Sequence, residues 1–193
     1  MNKKYKNLVD RIAYKLVKDN AIDAADLEAY KFGLEVTLLK AVHYVSYIVI
    51  ALCMKKILEA VIVFAVIYSL RRNTGGFHAQ TRIGCYLFSC AVIFVSLFAT
   101  DLNLNAAALA ITSIIDAVIL VVLSPVKNAN RKLDSEDIEY FKHRLRRLML
   151  IYFIIYATTA ALGAGYFIKL YTIGFTVDTL LTIMGRMQMK KCS

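Results

Sequence analysis

One polar stretch stands apart from the rest of the chain: Arg71-Arg72-Asn73-Thr74-Gly75-Gly76-Phe77-His78-Ala79-Gln80-Thr81-Arg82-Ile83-Gly84-Cys85. Apolar blocks flank it on both sides. A plain connection needs only a few turn residues, whereas this one gathers arginines, a glycine pair, a histidine and a cysteine. Together these residue types can do nucleophilic catalysis: a thiolate attacks a carbonyl, and an imidazole takes the thiol proton and returns it to a leaving amine. Cys85 opens an apolar block, so it sits near a helix start. There, unpaired N–H groups and the positive end of the helix dipole favour thiolate, and Arg82 adds positive charge. Spacing sets a condition. In one regular helix, His78 and Cys85 would share a face about 10 Å apart along the axis, too far for the ~3 Å contact of a general base. The pair works only if part of Ala79–Gly84 is non-helical and folds back, which Thr81 and Gly84 permit. On spacing alone such a pair is more often unrelated, the histidine a structural hydrogen-bonder and the cysteine a small apolar filler.

Further residues surround this pair. Gly75 and Gly76 break the preceding helix and allow positive φ. An oxyanion needs donors, and the N–H groups of Cys85 and its neighbours at the helix start are the nearest ones. Arg71 holds a substrate carboxylate or a lipid phosphate, or pairs with an acid; its bland alternative is an arginine snorkelling at a helix end. Gln80 is within reach to orient the imidazole. Ionisable residues inside apolar blocks are functional candidates by default. Asp116 leads these, followed by Asp178 and His43; each lines a peptide-binding cavity or pairs with a base such as Arg71. Alternatively, Asp116 is satisfied by the hydroxyls of Thr112 or Ser113. The four cysteines form no CxxC and no Cys/His zinc spacing. Neither a metal nor a cofactor is expected, and free thiols are.

The elements that must position these residues follow from composition. The chain has 193 residues, is 59% hydrophobic, and holds one Pro and no Trp. Soluble domains are roughly 45–50% apolar, so soluble, disordered, fibrous and disulfide-scaffold classes are excluded. What remains is an all-α polytopic membrane bundle. Apolar runs lie at 37–54, 57–70, 86–99, 104–123, 148–168 and 170–185. They are helix-length and lack strand alternation. Six spans is the preferred count, with four full spans plus two partial ones as the fallback.

The formal charge is +10. Its basic residues gather before the first run, at Arg71, Arg72 and Arg82, between Lys127 and Arg147, and in the tail. In a six-span arrangement these segments share one side, which the lysine/arginine bias makes cytoplasmic, together with both termini. Lys55–Lys56 is the misfit. Scattering among apolar blocks argues for anionic lipid contact and against nucleic acid. Residues 1–36 form an amphipathic N-terminal segment, with Leu8, Ile12 and Leu16 at helical spacing, Asp19–Asn20 a turn, and 26–34 a second interfacial turn or helix. No apolar core follows the basic start, so a cleavable signal peptide is not expected. Residues 37–185 form one transmembrane domain carrying the catalytic segment 71–85 and a basic loop 125–147; residues 186–193 are a cytoplasmic tail. Asp134 or Ser135 caps a helix whose basic stretch, 142–147, reads as a membrane anchor.

The segment 71–85 resembles the signature of the AgrB family, the accessory gene regulator membrane peptidases of Gram-positive bacteria. That family has an Arg, a Gly or Gly pair, a His, and a Cys seven residues later; here they are Arg71, Gly75–Gly76, His78 and Cys85. The basic amphipathic start, the chain length and Pro125-Val126-Lys127-Asn128-Ala129-Asn130 match as well. Arg131-Lys132-Leu133 departs from it, where the family often has a second Pro. The resemblance implies a cysteine endopeptidase of the cell membrane acting on an AgrD-type quorum-sensing propeptide. Cys85 takes the acyl group, the charged tail leaves, and an internal thiol or hydroxyl closes a thiolactone or lactone. It also implies a homodimer. The rival reading is a small peptide exporter with a midplane site near Asp116 and Asp178; a lipid- or partner-binding scaffold is third.

Overall fold

The computed structural model describes residues 3–19, 21–77, 79, 81–126 and 133–190. Its helices are α1 (Lys3–Lys18), α2 (Leu27–Cys53), α3 (Ile57–Thr74), α4 (Arg82–Ala99), α5 (Ala106–Leu123), α6 (Ser135–Ala161) and α7 (Gly165–Lys190), with a short 3-10 turn at Ala24–Asp26. Among the described residues no strand forms, as an all-α membrane bundle requires. Helix starts follow local chemistry. Thr81, Asn105 and Asp134 cap α4, α5 and α6, accepting from the N–H of Gly84, Ala108 and Asp137 at 3.1, 2.7 and 2.8 Å.

The chain divides into two compact units, 1–46 and 47–193. In the first, Val9 and Ala13 of α1 are buried. Lys31 pairs with Asp10 at 3.4 Å and Glu28 at 3.0 Å, and lies over the Tyr14 ring. The expected separate element at 26–34 does not exist. α2 begins at Leu27 and runs unbroken to Cys53, because Leu, Glu, Ala and Lys between 27 and 36 propagate a helix.

In the second unit α3 packs on α7, α6 and α4. Val66 and Leu70 of α3 meet Leu120 of α5, Leu145 of α6 and Phe175 of α7; Val63 and Ile67 meet Leu170 and Ile173. Such helices associate by close packing rather than by water exclusion, and a Cβ on Gly174 would overlap Val66. The outward faces of α5 and α6 are apolar, with Ile114, Val122 and Phe153 exposed. Four helical stretches are long and apolar enough to cross a membrane: Ala24–Cys53, Arg82–Ala99, Ala106–Leu123 and Gly165–Met189. Outside that set are the amphipathic α1, α3, which carries Glu59, Arg71 and Arg72, and α6, which is charged through Arg147. The count of four agrees with the full spans of the four-plus-two fallback.

The expected break at Lys169 lies elsewhere. α6 ends at Ala161 and α7 starts at Gly165. Gly163 takes φ 68°, and the N–H groups of Gly163 and Ala164 donate to the Ala160 and Thr159 carbonyls. That is the glycine-terminated helix end that only a residue tolerant of positive φ makes freely. Lys169 sits inside α7 and donates to Thr100 O at 2.6 Å. Lys56 donates to Leu97 O (2.8 Å) and Thr100 Oγ1 (3.0 Å) and pairs with Asp101 (2.6 Å). Both lysines therefore close the C-terminal end of α4, where cations suit the dipole, which accounts for Lys56 of the Lys55–Lys56 misfit.

Candidate active site

The site grows out of the end of α3. Gly75 and Gly76 take φ 73° and 123°, so the helix stops and the chain turns. Four hydrogen bonds pin the turn: Val126 N–H to Thr74 O (2.7 Å), Phe77 N–H to Leu181 O (2.8 Å), and Arg71 Nη1 and Nη2 to the Gly75 and Phe77 carbonyls (2.7 and 2.5 Å). The pinning leaves no room for side chains. A Cβ on Gly75 would sit 2.6 Å from Val126 O, one on Gly76 would overlap the Arg71 guanidinium, and one on Gly185 would overlap the backbone of Gly76 and Phe77.

Thr81 then starts α4, and Cys85 follows one turn in, half-buried. Ala79 and Thr81 lie outside any helix, so at those described positions the segment is not part of one regular helix. The Cys85 N–H donates to Thr81 O at 2.9 Å and the Gly84 N–H to Thr81 Oγ1. Of the helix-start amides expected to serve an oxyanion, those of Gly84 and Cys85 are thus engaged in starting the helix.

Cys85 and Arg71 line one cavity of about 200 Å³, together with Phe77, Ala79 and the aromatic rings of Phe64, Tyr68 and Phe88. Phe77 and Phe88 meet edge to face at 5.0 Å. His78 and Gln80 lie outside the described residues. The structure thus brings together Arg71, Gly75, Gly76 and Cys85. It places Asp116 elsewhere: the residue is buried, accepts from Thr176 Oγ1 at 2.6 Å, and does not line the cavity. Its hydroxyl partner comes from α7 and not from its own helix; Ser113 instead bonds Thr172. His43 bonds the Leu39 carbonyl one turn back.

The acid beside Arg71 is Asp178, wholly buried on α7. It accepts from Thr74 Oγ1 at 2.9 Å and interacts electrostatically with the guanidinium. Its Oδ1 has no hydrogen-bond partner among the described residues. Sequence reasoning ranked Asp178 below Asp116 and missed Thr74 and Gly185. A signal existed: Asp178 and Gly185 are seven residues apart, two turns on one face of α7.

The sequence model of the accessory gene regulator B family matches residues 9–184. The chain belongs to the AgrB family. No curated protein and no solved structure matches it. As an AgrB member it takes part in agr quorum sensing, in the processing of the autoinducer. The apolar helices agree with a membrane protein, and AgrB membership implies an AgrD-type propeptide as substrate.

Proposed function

We propose that the protein is a cysteine endopeptidase that removes the C-terminal tail of its propeptide and closes the remainder into a ring. The observation that supports this best is the shared cavity: Cys85 and Arg71 line it, and so do Phe77 and Ala79, the two neighbours of His78 in the chain. His78 takes the Cys85 proton. The thiolate sulfur bonds to the scissile carbonyl carbon, the C–N bond breaks, and the imidazolium protonates the departing amine. The peptide remains as a thioester. Its internal thiol or hydroxyl then attacks the same carbon, the bond to Cys85 breaks, and the proton returns to the Cys85 sulfur. Exchange of thioester for thiolactone is nearly isoenergetic, whereas hydrolysis runs downhill and destroys the acyl group. The aromatic walls keep water from the intermediate and so favour the ring.

Gln80 orients the imidazole. Gly75 and Gly76 shape the turn. Asp116, through Thr176, braces the helix that carries Leu181 and Gly185 beneath that turn. The protein works as a homodimer in the cell membrane, with site and termini on the cytoplasmic side and its basic segments on anionic headgroups. No metal or cofactor enters the reaction.

The test is tail release from an AgrD-type propeptide by purified protein in liposomes, followed by mass spectrometry. Wild type should give free tail and a fragment lighter by one water than the hydrolysed form; Cys85→Ala should give neither. Equal tail release by both proteins would remove Cys85 as nucleophile.

A further inference from the structure

We propose that Asp178 is a positioning residue for this reaction: it is the buried counter-charge that holds Arg71 across the Gly75–Phe77 turn, and through that clamp it sets how the turn meets Cys85. The inference rests on the reading of Cys85 as nucleophile.

Arg71 has both terminal nitrogens on backbone carbonyls, Nη1 on Gly75 O and Nη2 on Phe77 O. A guanidinium used in this way is a staple. Its planar fork spans two acceptors that lie two residues apart, which an ammonium could not do with the same geometry. Carbonyls alone do not neutralise a cation taken out of water, and a buried charge needs a counter-charge. Among the described residues Asp178 is the acid that acts on it electrostatically, from beyond ion-pair distance, and its contact with the turn is direct at Thr74, whose Oγ1 donates to one carboxylate oxygen at 2.9 Å while the other oxygen has no hydrogen-bond partner. The same helix meets the turn twice more, at Leu181 O, which accepts from Phe77 N–H, and at Gly185, whose missing side chain lets the turn lie against α7. Asp178, Leu181 and Gly185 follow one another at helical spacing along one face. α7 is thus the bed on which the turn rests, and Asp178 is its electrostatic anchor. Asp178 is absent from the residues lining the cavity, so its effect on chemistry passes through Arg71.

The experiment uses the full chain in liposomes, with Cys53, Cys90 and Cys192 replaced by alanine so that Cys85 is the lone thiol. The rate of Cys85 alkylation by iodoacetamide is followed against pH for the parent, His78→Ala, Asp178→Asn and Thr74→Val. The sign of the shift separates the roles. Acting only as a charge, Asp178 opposes thiolate, so its neutralisation would move half-maximal alkylation to lower pH. As an anchor, its loss frees Arg71 and the turn, and half-maximal alkylation moves to higher pH, with at least a tenfold slower rate at neutral pH. The proposal expects the upward shift for Asp178→Asn, and a smaller one in the same direction for Thr74→Val, which changes no charge and serves if Asp178→Asn fails to fold. A profile moved by His78→Ala but unmoved or lowered by Asp178→Asn, or unmoved by Thr74→Val where Asp178→Asn does not fold, overturns the clamp alone. A profile unmoved by His78→Ala overturns the catalytic reading, and the clamp with it.

Discussion

Gly185 is a helix-interior glycine, and on propensity alone alanine there should stabilise α7 by about 1 kcal/mol. The structure reverses that expectation, because the added carbon would overlap the backbone of Gly76 and Phe77. Gly185→Ala should leave helix content unchanged by circular dichroism and cut tail release at least tenfold. Gly76→Ala should be worse, since it adds a positive φ of 123° to an overlap with Arg71; a loss of about 2 kcal/mol in thermal or denaturant unfolding is expected. At this scale the sequence was informative where residue type carries the chemistry. Arg71 and Cys85 line one cavity, and the glycine pair turns the chain against Arg71. The sequence named Asp178 as a partner for a base such as Arg71 but ranked it below Asp116, because the neighbours that distinguish the two acids, Thr74 for Asp178 and Thr176 for Asp116, are remote in sequence.

Two helix ends invite measurement. Thr81 fixes where α4 begins and therefore where the thiol lies in its first turns. Thr81→Ala should cost about 1 kcal/mol of stability and slow Cys85 alkylation, while Thr81→Ser should restore both. At the close of α2, Lys55 takes φ 58°, and the N–H groups of Lys55 and Lys56 donate to the Leu52 and Ala51 carbonyls. This is the geometry that Gly163 adopts at the end of α6, here made by a residue that pays steric strain for it. Lys55→Gly should raise stability by roughly 0.5–1 kcal/mol in a melting experiment. Helix existence was legible from apolar block length, and boundaries less so. The glycine at 163 ended a helix that hydropathy alone carried on to Lys169. The polar start of α2 hid a helix that hydropathy alone would begin at Thr37.

For the whole molecule, the lysines at 56 and 169 show why charge counting needs structure. Each is bound to the end of α4, so neither is a free marker of sidedness. With them set aside, a six-span arrangement would put the remaining basic segments on one side. In a chain without its native cysteines, Asn103→Cys should react with a membrane-impermeant maleimide in intact cells, and Ser135→Cys only after lysis. The reverse pattern would invert the orientation proposed above. α3 falls outside the apolar spans because it carries Glu59, Arg71 and Arg72, while its middle faces protein, as the burial of Val63, Val66 and Leu70 shows.

The anchoring of the turn on α7 also sets an order of events during synthesis. The ribosome releases Cys85 long before Asp178 and Leu181, by roughly 5–20 s at ordinary elongation rates. Until then nothing draws the loop onto its bed, so a half-made protein carries its sulfur unarmed. If the proposed peptidase and its α7 anchor hold, the last helix to leave the tunnel completes the site, and a nascent chain would cut no peptide before it is whole.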